Sequence, residues 1–302
     1  MKSTIKPNQG LLSIEIKPTG AAVAYSPNPD TKNISFCELK EYENNLETDT
    51  CEFKEHISKL VLKHHLKKNN CNLVLHPDFY RLTLVDTPNV PRAEYKKAIR
   101  WQIKDIISYP LEDVAIDIFN PGETEENTKK IYVIAAQKSF LQKIVNVVQD
   151  CGLYPIAVDI REFAVRNLIA ELAKPSETIG FLNLTDDGCI LILIKERHVQ
   201  FVRHFPIKLD FLKNNNYSGL ITELQRSFDY CQTELDQELP ERIFIPPTMD
   251  IDNTITQNIE KSLQKETSIF NLRDIVNLET SIDKQAESDC WSAIGGTLRN
   301  NE

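Results

Sequence analysis

The chain has 302 residues, 41% of them apolar and 26% charged, with a formal net charge of −9 and a pI near 5.3. That length and apolar content suffice for one large domain or two ordinary ones, each with a real core. The acidic balance excludes general binding to nucleic acid or to an anionic membrane, while leaving room for a local basic patch.

Two short strands open the chain, Leu11 to Lys17 and Ala21 to Tyr25, around a turn at Pro18, Thr19 and Gly20. Asn33 to Lys40 reads as a third strand. Phe53, Ile57, Leu60, Val61 and His64 then recur at helical spacing. His56, His64 and His65 are expected at the surface or its boundary, because no Cys or carboxylate completes a metal pattern around them. Leu73 to His76 and Tyr80 to Val85 are strands.

The stretch Val90 to Phe119 organises the rest of the chain. Pro91 suits a helix start and Pro110 marks where that helix should already have ended. Tyr95, Ile99, Ile103, Ile106 and Ile107 form one apolar stripe. Trp101 lies roughly 160° from Ile99, between Lys97 and Lys104, so it requires cover from a second layer of the chain or from a partner. Val114, Ile116 and Ile118 alternate as a strand, with Asp113 and Asp117 on its solvated face.

Asn120 to Asn127 reads as a surface loop, Ile131 to Ala135 as a strand, Phe140 to Val148 as a helix ended by Gly152, and Tyr154 to Val158 as a strand. A helix continues through Phe163, Val165, Leu168, Ile169 and Leu172. At Ile179 the opening repeats: LLSIEIKPTGAAVAY overlays GFLNLTDDGCILILI without a gap, placing Glu15 on Asn183, Lys17 on Thr185, Pro18 on Asp186 and Gly20 on Gly188. Val199 to Pro206 supplies a third strand, as Asn33 to Lys40 does in the first half. A polar segment from Lys213 to Ser218 precedes a long helix carrying Leu220, Leu224, Phe228 and Cys231, on which Arg226 and Tyr230 lie one turn apart. Arg242 to Pro246 is a strand, Ile251 to Leu263 a helix and Ser268 to Leu272 a strand. Trp291 to Leu298 should pack back on the body, with Gly295 and Gly296 allowing a close approach or a helix start. The pattern is α/β with mixed sheets in two similar halves.

Seven cysteines without a CxxC pair fit a reducing compartment. With no 18-residue apolar run and no signal-peptide pattern, the expected location is the cytoplasm, without direct membrane insertion.

Four stretches resemble a known family. VPRAEYKKAIRWQIKDIISYPLEDVAID, Ala135 to Ala164 with its C-G-L-x-P run, ELQRSFDY at Glu223 to Tyr230, and Ile294 to Leu298 are similar, in order, to the PilM family of type IV pilus assembly proteins. The nearest branch is that of the mannose-sensitive haemagglutinin (MSHA) pilus, MshI. The resemblance implies an α/β actin-like (ribonuclease H-like) fold of two lobes: residues 1–78 and 158–176 in the first lobe, 79–157 in an inserted subdomain and 177–302 in the second lobe. It implies a cytoplasmic adaptor held at the inner membrane by the tail of a bitopic PilN-like protein, alongside other pilus components, with a homo-oligomer allowed and no nucleic acid partner. The tail's groove would lie between the first lobe and the insertion, with Arg100, Trp101 and Lys104 as partner-binding residues and Leu82 and Leu84 as an apolar floor.

The same resemblance locates a nucleotide site, and there the chain departs from it. Actin-like ATPases carry a D-x-G turn at the start of each lobe, where glycine lets N–H groups curl around phosphate and the carboxylate positions metal. Here Glu15 and Lys17 stand in the first lobe and Asn183 and Thr185 in the second, with Gly20, Gly188, Gly295 and Gly296 as the remaining degenerate positions. No cofactor is therefore expected, or at most weak ATP and magnesium. No nucleophile elbow, P-loop, H-E-x-x-H helix or Cys/His cluster appears, so no catalytic or metal residue is expected. The alternatives are an active actin-like ATPase, a sugar or acetate kinase on that fold, and a type II secretion platform component resembling GspL.

Overall fold

The overlaid hairpins form with matching registers. In the computed structural model, which describes residues 10–122, 129–185, 188–209, 217–247 and 253–299, β1 (Leu11–Lys17) pairs antiparallel with β2 (Gly20–Ser26) and ends on Lys17 opposite Gly20. In the second half, β10 (Thr178–Thr185) pairs with β11 (Gly188–Lys195) and ends on Thr185 opposite Gly188. Asp186 and Asp187 lie outside the described residues.

Each hairpin seeds a five-stranded mixed sheet of the same plan. With β3 (Asn33–Ile34) set aside, β4 (Phe36–Glu41) runs antiparallel to β2, while β5 (Asn70–Leu75) and β9 (Tyr154–Ile160) extend the other side in parallel, giving the order β4-β2-β1-β5-β9. The second sheet uses β12 (His198–Phe205), β13 (Arg242–Ile245) and β14 (Glu266–Ile269) in the order β12-β11-β10-β13-β14. The interiors of β10 and β11 are buried on both faces, which is why they read as continuous apolar runs rather than as alternation.

Helices cover both faces of both sheets. On the first, α1 (Cys51–Lys63) and α3 (Lys138–Asp150) share one core, with Phe53, Ile57, Phe140, Ile144 and Val148 against Leu12, Ile14 and Leu73. Gly152, at φ +88°, closes α3: its N–H donates to Gln149 and that of Leu153 to Val148, the paired bonds of a left-handed helix terminus. On the second sheet, α5 (Ser218–Glu234) and α6 (Asn253–Leu263) bury Leu220, Leu224, Phe228 and Ile259 against Leu182, Leu191 and Ile243. Between the sheets lie α4 (Arg161–Ile169) and α7 (Lys284–Thr297), whose Val165, Leu168, Trp291 and Ile294 join Ala22, Phe181 and Ile192 in one core. β15 (Asn277–Leu278) pairs with β3, a second link between the halves.

Between β5 and β9 the chain makes a separate sheet in the order β6-β8-β7 from β6 (Tyr80–Asp86), β7 (Val114–Phe119) and β8 (Lys130–Gln137), all antiparallel. One face carries α2 (Tyr95–Gln102) over a core of Ile99, Ile103, Val114, Ile131 and Val133. The other face turns Leu82, Leu84, Phe119 and Tyr132 toward the lobes, where the Val202 backbone N–H donates to the Tyr132 hydroxyl at 2.8 Å.

Several expectations need correction. The insertion is shorter than residues 79–157, because α3 packs in the first lobe's core and β9 joins its sheet. Residues 177–302 are not all second lobe, since α7 crosses back to pack on β1, β2 and β4, and α4 makes contacts with both sheets. The central helix ends at Gln102 in a turn, where Ile106 N–H donates to Ile103 at 3.0 Å. The turn keeps Ile103 and Ile107 against the sheet and leaves Ile106 exposed, while Arg100 Nη1 holds the returning chain through the Leu111 carbonyl at 2.9 Å. His56 is buried and hydrogen-bonded to both Tyr42 (2.7 Å) and Glu38 (3.0 Å). Arg226, one turn from Tyr230, is exposed and pairs with Glu223 at 2.7 Å. The loop at 120–127 and the polar segment before α5 fall largely outside the described residues.

Candidate functional site

Two concave sites result from this arrangement. The first is the cleft between the lobes, about 460 Å³, where the ends of both hairpins meet the carboxyl ends of β5 and β9 and one side of α7. Ligands in open α/β sheets bind at such strand ends. Glu15, Lys17, Asn183, Thr185 and Gly188 line it, as the overlay implies. Gly20, Gly295 and Gly296 do not. A Cβ on Gly20 would meet the Lys40 carbonyl at 2.8 Å, so this glycine serves strand packing. Gly295 and Gly296 lie within α7, not at its start, and a Cβ there would collide with the Ala164 carbonyl and with Ser13 Oγ. They let α7 approach α4 and β1.

The cleft's electrostatics are set by a residue that sequence reasoning missed. Arg161, first in α4, places Nη2 2.5 Å and Nε 2.7 Å from Glu15 Oε1, with Lys17 Nζ 3.9 Å from the same carboxylate. Burial disfavours the Glu15 anion, but the Arg161 and Lys17 charges outweigh it and hold the carboxyl below its usual range. His76, at the end of β5, is pushed down to about 3 by burial and by Arg161, so it is neutral at physiological pH and adds no counter-charge. A buried carboxylate neutralised by an internal guanidinium thus occupies the end of the first hairpin, and Asp78 and Asp289 rim the same space. On the second hairpin the Thr185 hydroxyl donates to the Gly188 carbonyl at 2.9 Å. Among the described residues, no group of three His, Cys, Asp or Glu side chains is placed to hold a metal ion. Arg161 was legible only as the residue that follows a parallel strand; its partner is 146 positions away.

The second site is a groove of about 650 Å³ between the first lobe and the inserted sheet. One wall is β7, through Ala115, Ile116 and Asp117. The other is β9, through Val158 and Ile160, with Phe163 and Arg166 of α4 at its end. Both strands are edges of their sheets. Val158 and Tyr154 on β9 are exposed apolar side chains. Lys96 of α2 reaches the rim and pairs with Asp117 at 2.9 Å, while Arg299 pairs with Asp159 at the floor.

The partner-binding residues read from sequence are not brought together. Leu82 and Leu84 face the lobes, on the opposite side of their sheet from α2, where they join the lobes' cores. Arg100 is half-buried, Lys104 is exposed, and Trp101 is 69% exposed. None of these five lines the groove. Of the groove's own residues, Val158 was read from sequence only as the end of a strand, and nothing in the sequence marked it as lining a concavity.

The fold is similar to several solved structures. A structure described as a PilM-PilN type IV pilus biogenesis complex matches with a TM-score of 0.73 and 18% identity, over 97% of this chain and 98% of that one. A Bacteroides thetaiotaomicron protein with an actin-like ATPase fold matches at 0.53 and 11% identity, over 94% and 96%. This chain has the actin-like fold. The cytoplasmic domain of EpsL, an inner membrane component of the Vibrio cholerae type II secretion system, also matches at 0.52 and 12% identity over 92% of each chain. No family model and no curated protein matches the sequence. No helix among the described residues is long and apolar enough to cross a membrane.

Proposed function

We propose that this chain is a non-catalytic actin-like adaptor of a type IV pilus machine, in which the groove between β7 and β9 holds an extended cytoplasmic tail of a bitopic PilN-like inner-membrane protein. The observation that carries the reading is the groove itself, walled by two sheet edges with exposed Val158 and half-buried Ile116 and Phe163 between them. An extended peptide adds to such an edge through its backbone and seats alternate side chains in the adjoining pockets. The four sequence stretches similar to the PilM family, including its mannose-sensitive haemagglutinin branch, support the pilus assignment over a type II secretion platform. So does a fold likeness to the PilM-PilN structure that spans both chains almost whole.

The occupied interlobe cleft supports the non-catalytic part. Arg161 is committed to Glu15, and Pro18 in the first turn has no N–H to give a phosphate. We infer that no nucleotide is needed, and that any ATP binding is weak. The test is fluorescence anisotropy of the labelled N-terminal tail of the PilN-like protein with wild type and Val158→Glu. Val158 is 39% exposed, so the substitution spares the core. The variant is expected to weaken binding tenfold or more while melting as wild type does, about 1.4 kcal/mol. Equal binding to both proteins would overturn the assignment of this groove.

A further inference from the structure

The outer face of α2 remains unexplained by the groove. It carries Trp101, the large apolar side chain with the second-highest exposure among the described residues, at 69%. Val90 before the helix and Ile106 after it are exposed too, so three of the six exposed large apolar side chains fall within 17 residues. The same segment holds Arg92, Lys96, Lys97, Arg100 and Lys104 against Glu94 and Asp105, a net charge of +3 in a chain of −9. Lys97, four residues before Trp101, shares its side of the helix, Lys104 follows in the turn after Gln102, and neither has an ion-pair partner among the described residues.

We propose that this face docks on an anionic lipid surface, with Trp101 at headgroup depth and Lys97 and Lys104 against lipid phosphates. Three observations favour lipid over an acidic protein. The indole ring, apolar with one N–H, suits the boundary between acyl chains and water. The patch is on the outermost layer of the insertion, because the opposite face of its sheet packs toward the lobes, and none of Val90, Trp101 and Ile106 lines either cavity. A single exposed helix face of this kind meets a bilayer more readily than it buries the roughly 800 Å² per side of a specific protein interface. Finally, Lys96 of the same helix rims the groove. If the groove holds the tail of a membrane-spanning protein, α2 is brought close to the inner leaflet. This last point alone rests on the proposed function. The attraction is interfacial and electrostatic, so a chain of net negative charge needs no inserted segment to make it.

Tryptophan fluorescence reads the docking directly, since the chain has two tryptophans and Trp291 is buried. At low salt, vesicles of phosphatidylglycerol mixed into phosphatidylcholine are expected to blue-shift Trp101 emission and shield it from acrylamide, and added salt should reverse both. Pure phosphatidylcholine should do neither. Lys97→Ala with Lys104→Ala should lower partitioning about 25-fold, about fivefold per cation removed, and Trp101→Ala should abolish the spectral change while its Trp291 signal reports an intact fold. Quenching unaffected by anionic vesicles, or partitioning unaffected by the double substitution, would overturn the proposal. Shielding by an acidic peptide such as polyglutamate but not by vesicles would also overturn it, assigning the face to a protein. No lipid is present in the tail titration and no tail in the vesicle assay, so the two readings fail separately: Val158→Glu should still bind vesicles.

Discussion

Replacing Arg161 with methionine isolates the interaction that fills the interlobe cleft. Glu15 is almost completely buried, and its anion is held there chiefly by two short contacts to Arg161, Lys17 being more distant at 3.9 Å. Removing one partner of a buried pair leaves an uncompensated charge and costs about 3–5 kcal/mol. At roughly 2–4 °C per kcal/mol for a domain of this size, the melting temperature at pH 7 should fall by at least about 6 °C. The sign of the pH dependence follows from the two carboxyl states. In the wild type the Glu15 pKa is depressed, so its stabilisation is present above the unfolded value near 4.3 and is lost as pH falls through the folded value. In the variant, burial prevails and raises that pKa, so acid protonates Glu15 in the folded state and relieves the penalty. The gap between the two proteins should therefore narrow between pH 7 and pH 4.5. Glu15→Leu combined with Arg161→Met should recover much of the loss, because an apolar pair of similar volume has no charge to desolvate. Thermal melts followed by circular dichroism measure all three. An R161M protein that melts within a degree of wild type at pH 7, or a double variant no better than R161M, would refute the reasoning.

Ile103→Ala removes a fully buried side chain from the insertion's small core and should cost about 2–5 kcal/mol, whereas Trp101→Ala should melt as wild type does; comparative calorimetry of the two checks this. Gly296→Ala places a methyl group against Ser13 Oγ and Val74 where α7 meets β1, so it should lower the melting temperature by several degrees, and a neutral result would show that α7 has room to shift.

Local pattern made much of this fold readable. The overlay of Glu15 on Asn183 and Gly20 on Gly188 located both hairpins and placed five of the eight degenerate positions in one cleft, because a hairpin's register is a short-range property. The apolar spacing of Tyr95, Ile99 and Ile103 likewise identified the face of α2 that is buried. Long-range commitments were hidden. Nothing near Glu15 announces that Arg161 will neutralise it, and nothing in CWSAIGGTL says that a helix at the end of the second half will pack on the sheet of the first. The ungapped stripe through Ile106 suggested a longer helix than forms, since periodicity cannot register the turn that returns β7 to its sheet. Leu82 and Leu84 illustrate the same limit: alternation shows that they share a face, and only the assembled sheet shows that the face looks toward the lobes.

The central claim is that this actin-like chain works as a dock for a membrane protein's tail and not as an ATPase. Calorimetric titration of the PilN-like tail into the purified protein, with and without Mg-ATP, tests it most directly. The account predicts micromolar binding of the tail that Mg-ATP leaves unchanged, with no turnover. Tail binding that requires Mg-ATP and is accompanied by hydrolysis, or no tail binding at all, would contradict it.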